Sequence, residues 1–341
     1  MIAEAIRSLI EGQSLSRDEM HQVFGEVMDG RVTEVQKGAL LVALRMKGET
    51  SDEITGAAMA MRERVTPLGG DFGRIIDTCG TGGDGRGTFN VSTLAAIVAA
   101  AAGASVAKHG NRAVSSACGS ADLLKELGVE IDLDAARMSD VLRRIGISFL
   151  FAPKLHPAMS SVVAVRRELG VRTIFNVLGP LTNPAFARHQ VLGVYSAHLV
   201  ELLAKVLMAL GAEHALVVHS LDGLDEISIS APTRVSELRD GELCNYQLTP
   251  EDIGVRRHNL GELAGGNAQD NARIARSVLA GEGGAAAEIV VANAGAALYV
   301  AGAATTIRDG VVMAREALAS GQARRKLEEL VATTNAVAGP R

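Results

Sequence analysis

Residues 77–93 read DTCGTGGDGRGTFNVST, a run dominated by glycine and small polar residues. Glycines let backbone N–H groups face an anion with no side chain in the way. The run ends in Asn90, Val91, Ser92 and Thr93, where hydroxyl donors coincide with the expected start of a helix and the positive end of its dipole. This combination suits phosphate or diphosphate. It is not a Walker A loop, because no Gly-Lys-Ser/Thr follows, and its glycines do not keep the GxGxxG spacing of a dinucleotide loop. A bare glycine cluster is about as often a tight turn without a ligand. Asp84 and the Asn-x-Ser-Thr sequence favour the ligand, since a plain turn needs neither.

A second run, KHGNRAVSSACGSAD at residues 108–122, offers positive charge in Lys108 and Arg112 and hydroxyls in Ser115, Ser116 and Ser120. The competing reading is a solvated polar loop. Asp225 and Glu226 form an acidic pair of the kind that usually sits on an exposed loop. His109 and His156 stay open as proton acceptors or ring contacts, a lone histidine being more often structural. Cys79 and Cys118 have no visible activating partner and read as small loop residues. Gly179-Pro180-Leu181 and Asn183-Pro184 make a rigid turn that could line a pocket, although turns of this composition are usually structural.

These residues need a frame. Over the first 65 or so residues, Ser16 with Glu19, Thr33 with Gln36 and Thr50 with Glu53 match capping boxes, and apolar residues recur at helical spacing, which predicts about four helices. Residues 65–73 form a first linker. The pattern then alternates. Strands are expected at 74–78, 104–107, 149–152, 190–195 and 215–219, with helices at 92–102, 121–127, 135–145 and 199–210. This implies an α/β fold with a mostly parallel sheet covered by helices. Segments near 226–230 and 241–247 read as antiparallel additions, and three or four helices close the chain from residue 267. Both polar runs leave the carboxyl ends of parallel strands, the edge where ligands sit in open α/β sheets. The acidic pair follows the strand at 215–219 on the same edge.

Composition narrows the class. The chain has 341 residues, 48% hydrophobic and 21% charged, with formal net charge -5. This acidic balance, without a basic block or stacking aromatics, argues against nucleic-acid binding. Three unpaired-looking cysteines fit a reducing compartment, and neither a signal-peptide layout nor an apolar run long enough to span a membrane is visible. The expectation is a cytoplasmic protein.

DTCGTGGDGRGTFNVST, KHGNRAVSSACGSAD, RRELGVRTIFNVLGPLTNP and DGLDE, in this order and across essentially the whole chain, resemble the anthranilate phosphoribosyltransferases. The resemblance implies a homodimer of the nucleoside phosphorylase/phosphoribosyltransferase class III kind. Each subunit would have an N-terminal helical domain at residues 1–70, with helical contributions from about 170–190, and a larger α/β domain at 71–341 that binds the phosphoribosyl donor. The site would lie in the cleft between them. The resemblance further implies 5-phosphoribosyl-1-diphosphate as donor, anthranilate as acceptor and Mg2+, two ions per subunit.

Carried over by position, Gly80, Gly83, Asp84, Thr88, Asn90, Val91, Ser92 and Thr93 look like donor contacts. So do Lys108, His109, Gly110, Asn111, Arg112, Ala113, Val114, Ser115, Ser116 and Ser120. Gly80, Asn111 and Arg166 look like anthranilate contacts. Ser92, Asp225 and Glu226 look like metal ligands, oxygen donors of the kind Mg2+ prefers. A guanidinium matches the anthranilate carboxylate, but without the resemblance the residues do not decide between Arg166 and Arg167. Ala117-Cys118 departs from the family pattern, which more often has a polar residue followed by serine. The alternatives are a pyrimidine nucleoside phosphorylase-like enzyme and a non-enzymatic nucleic-acid-binding relative on the same fold.

Overall fold

Ser16, Thr33 and Thr50 each accept the backbone N–H of the residue three further on, and Glu19, Gln36 and Glu53 return the bond. These capping boxes start three of the four N-terminal helices: α1 (Ile2–Ile10), α2 (Arg17–Met28), α3 (Glu34–Lys47) and α4 (Ser51–Arg62). In the computed structural model, which describes residues 1–113 and 117–339, α2 and α4 pack closely because Gly56 carries no Cβ. A Cβ there would lie 2.3 Å from the Arg17 carbonyl oxygen.

Among the described residues seven strands follow in one sheet: β1 (Ile75–Asp77), β2 (Ser105–Gly110), β3 (Ile147–Phe151), β4 (His189–Gly193), β5 (His214–Ser220), β6 (Thr233–Arg239) and β7 (Glu242–Leu248). Their spatial order is β3-β2-β1-β4-β5-β6-β7. The first five are parallel, and β6 and β7 add antiparallel at the edge. Strand order therefore reverses between β1 and β4. Loops leaving adjacent strands diverge there and open a crevice at the carboxyl ends.

The intervening helices are α5 (Val91–Ala101), α6 (Ser120–Glu126), α7 (Ala135–Ile145), α8 (Ala152–Leu155), α9 (Val163–Leu169), α10 (Phe175–Leu178) and α11 (Leu199–Ala209). Four more close the chain: α12 (Ala268–Leu279), α13 (Ala285–Val300), α14 (Ile307–Ala319) and α15 (Gln322–Ala338).

The sheet divides two cores by strand alternation. Val191 of β4 and Leu216 and Val218 of β5 face α5 and α13. Leu192 of β4 and Ala215 and Val217 of β5 belong instead to the core that holds α1–α4 and α11. Successive side chains on a strand point to opposite faces, so alternate residues assign each half of the molecule its side. Within the second core, Arg62 ties α4 to its neighbours. Its guanidinium donates to the carbonyls of Leu181 (2.7 Å) and Leu210 (3.2 Å).

One expected strand is absent. Residues 226–230 are not a strand, and the antiparallel neighbour of β5 is residues 233–239. The amides of Ile227 and Ser228 are bonded to the Asn293 and Thr233 side chains, and the Ser228 and Ser230 hydroxyls turn to Asp222. Side-chain partners displace the ladder there.

Candidate active site

β1 ends in Asp77, fully buried, and its carboxylate organises the loops around it. Oδ1 accepts the backbone N–H groups of Cys79 and His109, both at 3.1 Å. Oδ2 accepts Asn183 Nδ2 at 2.8 Å. One side chain thus keys together the glycine loop, the end of β2 and the Asn183-Pro184 turn. Burial pushes the Asp77 pKa up to about 6, opposed by the nearby Lys108 ammonium. Asp77, Cys79 and His109 also place ligand-type atoms within 4.8 Å of one another. The carboxylate there is already engaged by three N–H donors, which makes the group a hydrogen-bond hub.

Residues 78–90 form the loop from β1 to α5. Gly82, Gly83, Gly85 and Gly87 have φ between 63° and 76°, values an L side chain rarely adopts. Gly80 fits closely: a Cβ there would stand 3.1 Å from the Gly193 carbonyl and 3.4 Å from Asp225 Oδ2. The Thr81 N–H donates to the Gly193 carbonyl at 2.8 Å. The loop therefore lies across the end of β4, at the switch point. Its far half is sewn to residues 263–265, with Phe89 N–H bonded to the Leu263 carbonyl and Gly265 N–H to the Gly87 carbonyl. Thr88 sits in a bridge with Ala264.

Three carboxyl groups meet below this loop. Asp84 Oδ1 accepts the Arg86 amide at 3.0 Å, while its buried Oδ2 has no hydrogen-bond partner among the described residues. Asp84 stands against Asp225, and Asp225 against Glu226. Burial first, and then the Asp84 charge, raise the Asp225 pKa. Burial and the Asp225 charge raise that of Glu226, which Lys108 partly offsets. Crowded carboxyl groups with an orphaned oxygen are a setting that a divalent cation relieves. Ser92 completes the set: its N–H donates to Glu226 Oε1 at 3.2 Å, and Lys108 Nζ lies 3.3 Å from its hydroxyl. Lys108 also reaches the Thr78 carbonyl and hydroxyl, at 3.3 Å each.

Gly80, Gly83, Asp84, Ser92, Lys108, Asp225 and Glu226 thus gather at one place. Several other expected contacts have structural engagements. Val91 is core, and Thr93 is buried with its hydroxyl unpartnered among the described residues. Asn90 Nδ2 donates to the Cys118 carbonyl and its Oδ1 accepts from Asn271, linking the start of α5 to α12. Gly110 packs against Ser120 and Phe149. Asn111 is exposed, and its carbonyl accepts the Ser120 hydroxyl at 3.2 Å. Arg112 lies 3.6 Å from Asp122 and over the Phe151 ring, and the Ala113 N–H is bonded to Asp122. Val114, Ser115 and Ser116 lie outside the described residues.

His109 and His156 form a buried pair with Nε2 atoms 3.1 Å apart. Burial pushes His109 down to about 3 and His156 to about 4, and the proximity of His156 adds to the shift of His109. Both rings are therefore neutral near pH 7, one donating and the other accepting. Burial raises the Cys79 and Cys118 thiols, so neither is a ready thiolate.

Arg166, on α9, is half-buried and lies 5.3 Å from the centroid of the Phe175 ring. It has no carboxylate partner among the described residues, whereas Arg167 is exposed. Sequence reasoning missed Asp77 as a hub and also Arg172, which donates to the Gly83 carbonyl. Each stands inside a recognisable motif, but the signal was its neighbours in space. A cavity of about 710 Å³ opens at the amino ends of β1, β4 and β5, beside Arg74, His189 and His214, away from these loops.

Comparison with known proteins identifies the family. Residues 3–65 match the helical bundle domain of the glycosyl transferase family, and residues 73–324 match its a/b domain. The chain is 56% identical over 334 residues to the anthranilate phosphoribosyltransferase of Anaeromyxobacter sp. (strain K), covering 98% of this chain and 99% of that one. It is 51% identical over 339 residues to the enzyme of that name from Halorhodospira halophila, covering 99% of each. Among solved structures, anthranilate phosphoribosyltransferase from Thermus thermophilus superposes with TM-score 0.92 at 47% identity, over 97% of this chain and 99% of that one. The Saccharomyces cerevisiae enzyme in complex with PRPP and Mg superposes with TM-score 0.90 at 28% identity, over 98% of each chain. A further structure of the yeast enzyme is a complex with 4-fluoroanthranilate.

Proposed function

Starting from the fact that the chain belongs to the anthranilate phosphoribosyltransferase family, we propose how its residues share the reaction. The enzyme transfers the phosphoribosyl group of 5-phosphoribosyl-1-diphosphate to the amine of anthranilate and releases diphosphate, a step of tryptophan biosynthesis. The reaction uses Mg2+.

In this reading the diphosphate lies against the glycine loop, with Gly80, Gly83, Asp84 and the start of α5 as its cradle and Lys108 as a fixed positive charge. Lys108 to Ala113 and Ser120 would contact the rest of the donor, as would Val114, Ser115 and Ser116, which lie outside the described residues. Two Mg2+ ions per subunit would be held by Ser92 and by the Asp225-Glu226 pair. When bound, such ions neutralise the charge that develops on departing diphosphate. The single observation that carries this reading is the meeting of Asp84, Asp225 and Glu226 with Ser92 and Lys108 under the loop. The protein's own part is then positioning and charge neutralisation.

Arg166 would pair with the anthranilate carboxylate, helped by Asn111 and Gly80. Its half-buried guanidinium supports it over the exposed Arg167. The anthranilate amine is a weak base and enters unprotonated. The low proton affinity of His109 and His156 favours a ring contact over a role as strong base. We place the helical domain at residues 1–70, with contributions from about 170–190, and the α/β domain at 71–341. We assign the protein as a cytoplasmic homodimer.

Incubation with donor, Mg2+ and anthranilate should change anthranilate fluorescence and release diphosphate in equal amounts. Phosphorolysis of thymidine or uridine without anthranilate turnover would overturn the reading in favour of a nucleoside phosphorylase.

A further inference from the structure

Side chains impose little steric restraint on the backbone around Gly83. Gly82, Gly83 and Gly85 have φ of 63°, 76° and 72°, and with no Cβ on either side of the Gly82–Gly83 peptide that loop segment can reorient at little steric cost. A diphosphate cradle of backbone amides needs the opposite: N–H groups already aimed when the ligand arrives.

Arg172 supplies a constraint. It lies two residues beyond Gly170, the left-handed glycine that ends α9. Its Nη2 donates to the Gly83 carbonyl, and its guanidinium stacks 4.4 Å from the centroid of the Tyr195 ring. Among the described residues it has no carboxylate partner. Tyr195 is anchored to the same loop, with its N–H donating to Thr81 Oγ1 at 3.1 Å. Thr81 is in turn fixed to the Gly193 carbonyl. Arg172 is therefore a brace between the loop and the end of β4. In a trans peptide the C=O and the following N–H point in opposite directions. Fixing the Gly83 oxygen thus fixes the heading of the Asp84 N–H.

We propose that Arg172 is a positioning residue that locks the Gly83–Asp84 peptide and so presets the glycine loop for diphosphate. This rests on the reading of that loop as the diphosphate cradle. Arg172 is exposed, so its replacement should leave the fold intact.

The test combines calorimetry with inorganic diphosphate and MgCl2 and steady-state kinetics, for wild type, Arg172→Ala and Arg172→Lys, at low and high ionic strength. Arg172→Ala should weaken diphosphate binding and raise the donor KM by about tenfold while moving the anthranilate KM by less than about twofold. Arg172→Lys, which keeps an N–H donor for the carbonyl, should recover most of the loss. The loss should persist at high ionic strength, because the partner of the guanidinium is a neutral carbonyl. Unchanged diphosphate affinity and donor KM in Arg172→Ala would overturn the proposal. A loss that disappears in salt would overturn it too, making Arg172 a direct charge contact. Failure of wild type to bind diphosphate would instead sink the donor reading itself.

Discussion

Arg166 and Arg167 are adjacent, yet they differ in surroundings: one guanidinium is half-buried over Phe175 and the other faces solvent. If Arg166 holds the acceptor carboxylate, Arg166→Ala removes a charge-assisted hydrogen bond. The anthranilate KM should then rise about tenfold or more, by roughly 1.5–3 kcal/mol, with the donor KM little changed. The reverse split in steady-state kinetics would show that the anchor is misassigned. The acidic pair makes a separate prediction. Asp225→Asn with Glu226→Gln should raise the Mg2+ concentration for half-maximal rate by about tenfold or more. A Mg2+ titration identical to wild type would remove the pair from the metal site. The histidine pair predicts a pH effect on stability. Folded His109 and His156 bind protons less readily than their ordinary value of 6.5. Their contribution is complete above that value and is lost as pH falls toward about 4 and about 3. At about pH 5 this costs about 2 kcal/mol per histidine, an order-of-magnitude figure. Denaturant midpoints should fall between pH 7 and 5, and His156→Gln should flatten that fall.

At the scale of elements, glycines decide how closely backbones cross, and different crossings have different consequences. Gly193 ends β4 where the chain at Asp225 passes: a Cβ there would lie 1.5 Å from the Asp225 carbonyl oxygen. Gly193→Ala must therefore displace the acidic pair. Because a shift of about 1 Å in a positioning group can cost roughly a hundredfold, kcat/KM should fall about that far. Gly310 makes a comparable crossing far from the chemistry, where α14 meets α13 and a Cβ would lie 2.2 Å from the Gly295 carbonyl oxygen. Gly310→Ala should lower stability by about 1–3 kcal/mol, read from a denaturant melt, and leave both KM values near wild type. Equal kinetic damage from the two substitutions would mean that Gly193 acts through general stability.

For the whole molecule, the sheet separates two cores, and the helical half meets the α/β half through α11 and the alternate face of β4 and β5. The outer surface of the helical half leaves Ile10, Val35 and Met46 at 72%, 82% and 84% exposure. Large apolar side chains so open are candidates for burial between subunits, which is where the proposed homodimer would form. Val35→Glu with Met46→Glu should give a monomer by light scattering. A dimer that survives the double change places the contact elsewhere. No helix among the described residues is long and apolar enough to cross a membrane.

Local chemistry settled much of this protein from sequence. Capping boxes at Ser16, Thr33 and Thr50 mark helix starts through side chains three residues apart, and the glycine loop declares its backbone freedom without tertiary help. The parallel alternation and the ordered motifs, down to Asp225 and Glu226, were legible for the same reason: each is written in neighbours along the chain. Other features depend on residues far apart in sequence. Asp77 becomes a hub only when Asn183, 106 positions later, reaches it, and Arg172 becomes a brace only when it meets Gly83, 89 positions earlier. The strand expected at 226–230 fails because Asn293 takes its amide. Such contacts depend on how the sheet brings loop ends together at the β1–β4 switch, and that arrangement is a property of packing that residue spacing does not encode.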